Sequence, residues 1–294
     1  MSTTIDGSDP YYGWSCALAG KLVPGSIEHR DAFCRMLLDT YNPYRPAIMD
    51  WPALSEAELA RLAGLPFWDT AVAIEDRAAL RMGWQADNIE DPLIREALKL
   101  NAAEERRHKE VLGHMLAFYG IALPLQPTHV KPSDPEFGFL RTGYGECINS
   151  FFAFGLFALA EKSGFFPAAL VAVFEPVVQE ETRHILFFAN YLAWRRAQSR
   201  GLARLRFEMI ALAALADQVF ARLATAVAVR RRRRRMRSNF LTSGVGAVSG
   251  RLDLPGFLAL CLSENDRRMA GYDGRLLRPA MMPALVRMVL RFFG

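Results

Sequence analysis

Apolar residues recur at i, i+3, i+4 and i+7 through most of the chain, a spacing that predicts helices in series. Ser26 can cap a helix over 27–40, which Pro43, Pro46 and Pro52 separate from a short helix near 54–63. Residues 1–26 carry no period and are expected to form a loosely held arm. Over 66–83, Trp68, Ala71, Val72, Ala79 and Met82 share a face with Glu75, while Asp76 and Arg77 point away. A turn over 86–92 leads to a second long helix ending near Tyr119. The third, over 137–163, is apolar nearly all round from Phe151 to Ala160. Glu146, Asn149, Ser150, Glu161 and Lys162 leave it only about 10 uninterrupted apolar residues where a membrane span needs ~20, so it reads as a helix buried in a core. Gly164 ends it, and Pro167 opens a fourth helix over 167–197 with a kink at Pro176. Further helical stretches follow at 202–229, 254–269 and 281–293, with a Ser- and Gly-rich loop at 239–250.

Two of these helices carry the same phrase: Glu104, Glu105, Arg106, Arg107, His108 and Glu180, Glu181, Thr182, Arg183, His184. Residues three apart share a helix face, so Glu105 with His108, and Glu181 with His184, can each point a carboxylate and an imidazole the same way. Ile94, Leu98, Leu112, Met115 and Leu116 lie on the side of the first pair, with Arg106 and Arg107 mostly off it. Phe174, Val177, Val178, Ile185, Phe188 and Leu192 lie on the side of the second. A carboxylate amid such a face has to be paired, protonated or metal-bound, because burying it alone costs several kcal/mol. One Glu-x-x-His is more often an exposed pair; two copies on apolar faces suit a site for two metals, which two more inward carboxylates would complete. Glu75 and the Glu105/His108 pair lie nearly equidistant from the turn between their helices. Glu146 and the Glu181/His184 pair do the same about Gly164; if the fourth helix begins at Pro176, Glu161 takes that place instead. Both remain open here, with Glu146 favoured. The proline-bearing connection at 121–136 reaches at most ~53 Å, enough to cross a ~30 Å helix and link two hairpins. His29, His114 and His129 lack carboxylates in matching places and read as structural or exposed.

Composition, at 51% hydrophobic over 294 residues, supports a large core. Cys16, Cys34, Cys147 and Cys261 are widely spaced, which suits reduced thiols and, with a Ser-, Thr-, Asp- and Gly-rich start, a cytoplasmic setting. The net charge of +5 is unevenly spread: residues 191–294 hold 20 Lys and Arg against 6 Asp and Glu, or +14, leaving −9 for residues 1–190. Six arginines run from Arg230 to Arg235, with Arg237 beyond. Such a run is a solvated charge cluster or an attachment to an anionic membrane surface, where each contributes ~1 kcal/mol. Nucleic acid suits it less, since no aromatics interleave with the arginines.

Glu75, Glu105-x-x-His108, Glu146 and Glu181-x-x-His184 together resemble the ligand set of ferritin-like di-iron carboxylate proteins, which include ribonucleotide reductase small subunits, tRNA-hydroxylating enzymes and p-aminobenzoate N-oxygenase-like enzymes. The resemblance covers residues 66–198. Val177 departs from the N-oxygenase type, which carries an extra histidine there. The resemblance implies an all-α, ferritin-like four-helix bundle with a long crossover between its second and third helices. Residues 1–65 would form an N-terminal arm and cap, and 199–294 a basic helical extension. It implies two iron ions, or manganese with iron, held by all six residues, and dioxygen as co-substrate. A small organic substrate would be oxidised at the metals, with an external electron donor. Phe152 and Phe157 are candidates to line its pocket, and a homodimer is a further expectation. Ferroxidase or iron storage is the alternative, and a metal-free helical protein docked through its arginines is a third.

Overall fold

Side-chain caps set the starts of four helices. The Ser26 hydroxyl accepts from the His29 amide (3.1 Å) to start α1, Ile27–Asp39, and a Ser55/Glu58 capping box starts α2, Glu56–Ala63. Asp91 accepts from the Leu93 and Ile94 amides (both 3.0 Å) at the head of α4, Pro92–Phe118. Asp134 accepts from Phe137 (2.9 Å) at the head of α5, Pro135–Ser163. Each cap is worth about 1 kcal/mol, and a proline in the first helical turn gives up no hydrogen bond. Gly164, at φ 62°, ends α5 in the left-handed conformation. The other helices are α3 (Trp68–Asn88), α6 (Ala168–Val173), α7 (Glu175–Gln198), α8 (Gly201–Arg231), α9 (Leu254–Met269) and α10 (Met281–Leu290). The computed structural model describes residues 12–65, 67–231 and 254–292, and among them the chain is all-helical, with no named strand.

Cross-helix pairs fix the helix directions. Asp76 on α3 meets Lys109 on α4 (2.6 Å) and Gly83 faces Ala102, so these two helices are antiparallel. His108 meets Glu180 and His184 meets Glu104, which makes α4 and α7 antiparallel. Ser150 meets Glu181 and Gly143 faces Phe188, which does the same for α5 and α7. It follows that α4 and α5 run the same way, and residues 119–134 must travel the length of the bundle to join them. α5 is buried for most of its length because α3, α7, α8 and α9 pack around it. Two of these approaches exclude side chains: a Cβ on Gly143 would sit 2.1 Å from the Phe188 ring, and one on Gly155 would sit 2.3 Å from Cys261 Sγ.

Several boundaries differ from the periodicity. α3 continues to Asn88 where Gly83 was expected as its end. The fourth helix is two pieces, α6 and α7, with the break at Phe174 beside Pro176, whose ring and missing N–H oppose a continuous helix. The part of the N-terminal segment that is described is not loose. Trp14 donates to the Gly271 carbonyl (3.0 Å) and accepts from Asp273 (2.7 Å), and Arg275 donates to the carbonyls of Cys16, Leu18 and Gly20. Residues 1–11, Pro66, Arg232 to Arg235, Arg237, the 239–250 segment and Phe293 lie outside the described residues. Among the described residues no helix is long and apolar enough to cross a membrane.

The packing yields a prediction. Gly143→Ala should lower stability by about 1–3 kcal/mol in equilibrium urea unfolding, because Phe188 must move. Gly113→Ala, on the open side of α4 with nothing near its Cβ, should stabilise by up to ~1 kcal/mol.

Candidate metal centre

α3, α4, α5 and α7 bring all six carboxylate and imidazole residues singled out in the sequence to one level of the bundle. Ligand-type atoms of Glu75, Glu105, His108 and Glu181 fall within 4.8 Å of one another, and so do those of Glu105, Glu146 and His184. Glu105 belongs to both groups, so they are two adjoining clusters with one shared carboxylate. Each is able to hold a metal ion. His108 Nδ1 lies 3.3 Å from Glu181, 3.6 Å from Glu75 and 3.8 Å from Glu105. His184 Nδ1 lies 3.0 Å from Glu105. Glu146 is buried, whereas Glu161 is exposed and outside the clusters.

The far nitrogen of each ring is held by the other helix's copy of the repeated phrase. His108 Nε2 bonds Glu180 (2.9 Å), and His184 Nε2 bonds Glu104 (2.8 Å). Each of these carboxylates is itself gripped by an arginine. Arg183 donates to Glu104 at 2.5 Å and to the Leu37 carbonyl at the end of α1 at 2.8 Å. Arg107 donates to Glu180, lies over the Tyr44 ring (4.1 Å to its centroid), and is joined there by the Tyr44 hydroxyl, which donates to Glu180 (3.1 Å). The two arrangements are reciprocal, Arg107–Glu180–His108 against Arg183–Glu104–His184.

This fixes the tautomers. A carboxylate can only accept, so Nε2 of each imidazole carries a proton and Nδ1 is left to face the cluster. There Glu105 Oε1, both oxygens of Glu146, His108 Nδ1 and His184 Nδ1 are buried with no hydrogen-bond partner. His184 Nδ1 and Glu105 Oε1 are close but not aligned as a bond. Orphaned acceptors converging on one spot are costly in protein and are what a cation would satisfy. Titration behaviour reflects the same crowding. Burial, then the charges of Glu181 and Glu75, pushes the Glu105 carboxyl well up; burial, then Glu105 and Glu181, does so for Glu146. Burial opposes charge on His108, yet its bond to Glu180 and the nearby carboxylates of Glu181 and Glu75 raise it well above the usual imidazole value. Burial would also raise Glu104, but Arg183 and His184 outweigh it and hold that carboxyl low.

A cavity of about 250 Å³ opens from the cluster between α3, α4, α5, α6 and α7. One water needs only ~10–15 Å³, so a small organic molecule fits. Its polar groups lie in the cluster and on the adjoining turn of α5; elsewhere it is lined by side chains such as Trp68, Ile74, Leu112, Phe157, Leu170 and Phe174. Phe157 therefore stands where it was expected, while Phe152 instead stacks on Phe257 (6.4 Å, 11°). Val177, in the place of an N-oxygenase histidine, is a wall residue. Asn149 also lines this space, and its Oδ1 accepts from Arg222 of α8 (2.8 Å). Arg222 can only donate, which assigns the oxygen to that side and leaves the Asn149 amide nitrogen to present a donor.

Helical periodicity and distance from the turns singled out the inner six residues and missed Glu104, Glu180, Arg107, Arg183, Tyr44 and Asn149. The first four stand inside the repeated phrase, and their recurrence at equal offsets was the available signal. Arg107, expected off the inward face, reaches Glu180 across the helix gap. Comparison with family models, with curated proteins and with solved structures finds no match, so function rests on the site itself.

Glu104→Gln and Glu180→Gln should each weaken binding of ferrous or manganous ion by about 10- to 100-fold in anaerobic titration, since outer carboxylates orient ligating imidazoles. Arg183→Met should cost about 3–5 kcal/mol in urea unfolding, because the buried Glu104 loses its bonded guanidinium.

Proposed function

We propose that the protein is a di-metal carboxylate oxidoreductase of the ferritin-like kind, using dioxygen to oxidise an apolar organic substrate in the cavity beside the cluster. The observation that carries this reading is the pair of clusters sharing Glu105 and opening on an apolar cavity. The crossover between α4 and α5, with Glu75 on α3, Glu146 on α5 and a Glu-x-x-His on each of α4 and α7, supports the ferritin-like assignment for residues 66–198. Charge supports two metals. Ionised as ligands would be, Glu75, Glu104, Glu105, Glu146, Glu180 and Glu181 would carry −6 against +2 from Arg107 and Arg183, and two divalent ions would supply the remaining +4. Carboxylate and imidazole donors suit iron or manganese.

In this reading Glu75, Glu105, His108, Glu146, Glu181 and His184 hold the metals. When bound, they would supply the reducing equivalents and the binding place for dioxygen, with an external donor restoring them. The chain's own residues do the rest. Glu105 ties the two positions together, and Glu104 and Glu180 keep each imidazole turned inward. Ser150 donates to Glu181 (2.9 Å), steadying a carboxylate that lines the cavity. The walls keep bulk water from the cluster. Asn149, oriented by Arg222, offers a hydrogen bond to an acceptor on the substrate, such as a hydroxyl or carbonyl oxygen.

Protein loaded anaerobically with ferrous iron should take up dioxygen in proportion to bound iron when a reductant is present, and Glu105→Ala with Glu146→Ala should abolish the uptake. Ala153→Phe, which places a ring in the cavity, should weaken calorimetric binding of small apolar alcohols by about tenfold, ~1.4 kcal/mol, with metal content unchanged. Iron oxidised without reductant and accumulated as mineral in a shell-sized assembly would replace this reading with iron storage.

A further inference from the structure

α8 has two apolar faces, and the bundle uses only one. Phe207, Ala211 and Ala214 are buried against the core. On the other side Leu202, Leu205, Met209, Leu212, Ala216, Val219 and Leu223 follow at steps of three, four, three, four, three and four. That is a strict 3.5-residue period, the seam of a helix that packs along another helix. It runs for about 32 Å. Apart from Ala216, its members are 43% to 84% exposed, and no charged residue interrupts it. With Phe220 beside them, these side chains expose on the order of 900 Å², above the ~300–600 Å² of a typical monomer's largest apolar patch and close to the ~800 Å² that each partner brings to a standard interface.

We propose that this seam pairs with the same seam of a second copy of the chain, the two α8 helices running antiparallel about a twofold axis. Three features select that occupant. The seam is narrow and periodic, as a helix partner requires, whereas a helix lying on lipid presents a broad apolar face with basic flanks. Its flanks carry both signs: Arg204 pairs with Glu208 (2.9 Å), Arg206 with Asp134 (3.5 Å), and Asp217 with Arg141, so acidic groups would meet anionic headgroups. The arginine run begins at Arg230, within the last turn of α8. A parallel pair would set the two helix ends at Arg230 and Arg231 side by side, while an antiparallel pair sends them to opposite ends. The inner face of this helix carries Arg222, which orients Asn149, so dimerisation would brace a wall of the cavity without depending on the proposed chemistry.

The test is sedimentation equilibrium of the full chain. The wild type should sediment at twice the 33.0 kDa chain mass. The Leu205→Glu, Leu212→Glu double variant should sediment as a monomer with an unchanged far-UV circular dichroism spectrum. Spin labels on Ala224→Cys should lie several nanometres apart in the dimer. A wild type that is monomeric up to 100 times its working concentration overturns the proposal, as does a dimer that survives both glutamates. Labels within about 20 Å, less than the seam's ~32 Å length, overturn the antiparallel arrangement. Seam-dependent binding of the monomer to phosphatidylglycerol vesicles would assign the face to lipid instead.

Discussion

Six carboxyl groups converge inside a helical bundle beside two guanidinium groups and two imidazoles, and that crowding of acidic groups governs the rest of the structure. Buried charge of one sign costs several kcal/mol per ion unless it is paired or protonated, so the surroundings are organised to hold it. Arg183 is fully buried and takes the Leu37 carbonyl and the Thr40 hydroxyl as further acceptors, which binds the end of α1 to the centre of α7. Arg107 is covered by Tyr41 and Tyr44 from the segment after α1. The N-terminal elements are therefore part of the electrostatic housing of the centre. The oxygens of Glu146 and the inner nitrogens of both histidines still have no partner after all this support.

Packing makes that arrangement rigid. The bare backbone at Gly143 and Gly155 lets α7 and α9 close on α5, and α5 in turn carries Glu146, Asn149 and Ser150 on consecutive turns beside the clusters. Reciprocal bonding between the two repeats means that neither histidine can turn without releasing a carboxylate on the opposite helix. Preorganisation of this kind suits chemistry in which ligand positions, more than chain movement, set the outcome. The cavity's apolar walls give the same end of the bundle room for a small apolar molecule, so one set of helices supplies both charge and shape.

Much of this was legible in the sequence, for identifiable reasons. Inward carboxylates on apolar stripes betray themselves because burial conflicts with charge, and that conflict identified Glu75, Glu105 and Glu181, while Glu146 came from its height above the turn at Gly164. The choice between Glu146 and Glu161 turned on where the fourth helix begins. α7 does start at Glu175, the condition that favoured Glu161. Yet Ser150 and Glu181 lie at nearly equal distances from Gly164, as do Gly143 and Phe188, so α6 and α7 keep the register of one broken helix and bring Glu146 to the centre. The outer residues escaped because a projection of one helix shows which way a side chain points and not what it meets. Glu104 and Glu180 look like solvent-facing neighbours of the inner glutamates until α4 and α7 are set side by side. The anchoring of Trp14 by Gly271 and Asp273 was invisible for the same reason, since its partners lie more than 250 residues away.

Metal content per chain tests the central claim most directly. It should be measured after anaerobic reconstitution with ferrous iron, in the native protein and in a Glu181→Ala, His184→Ala double variant whose circular dichroism matches it. The charge balance predicts close to two metals per native chain, and a loss of tight binding in the variant. Sub-stoichiometric metal in the native protein, or equal metal in both, would contradict the account.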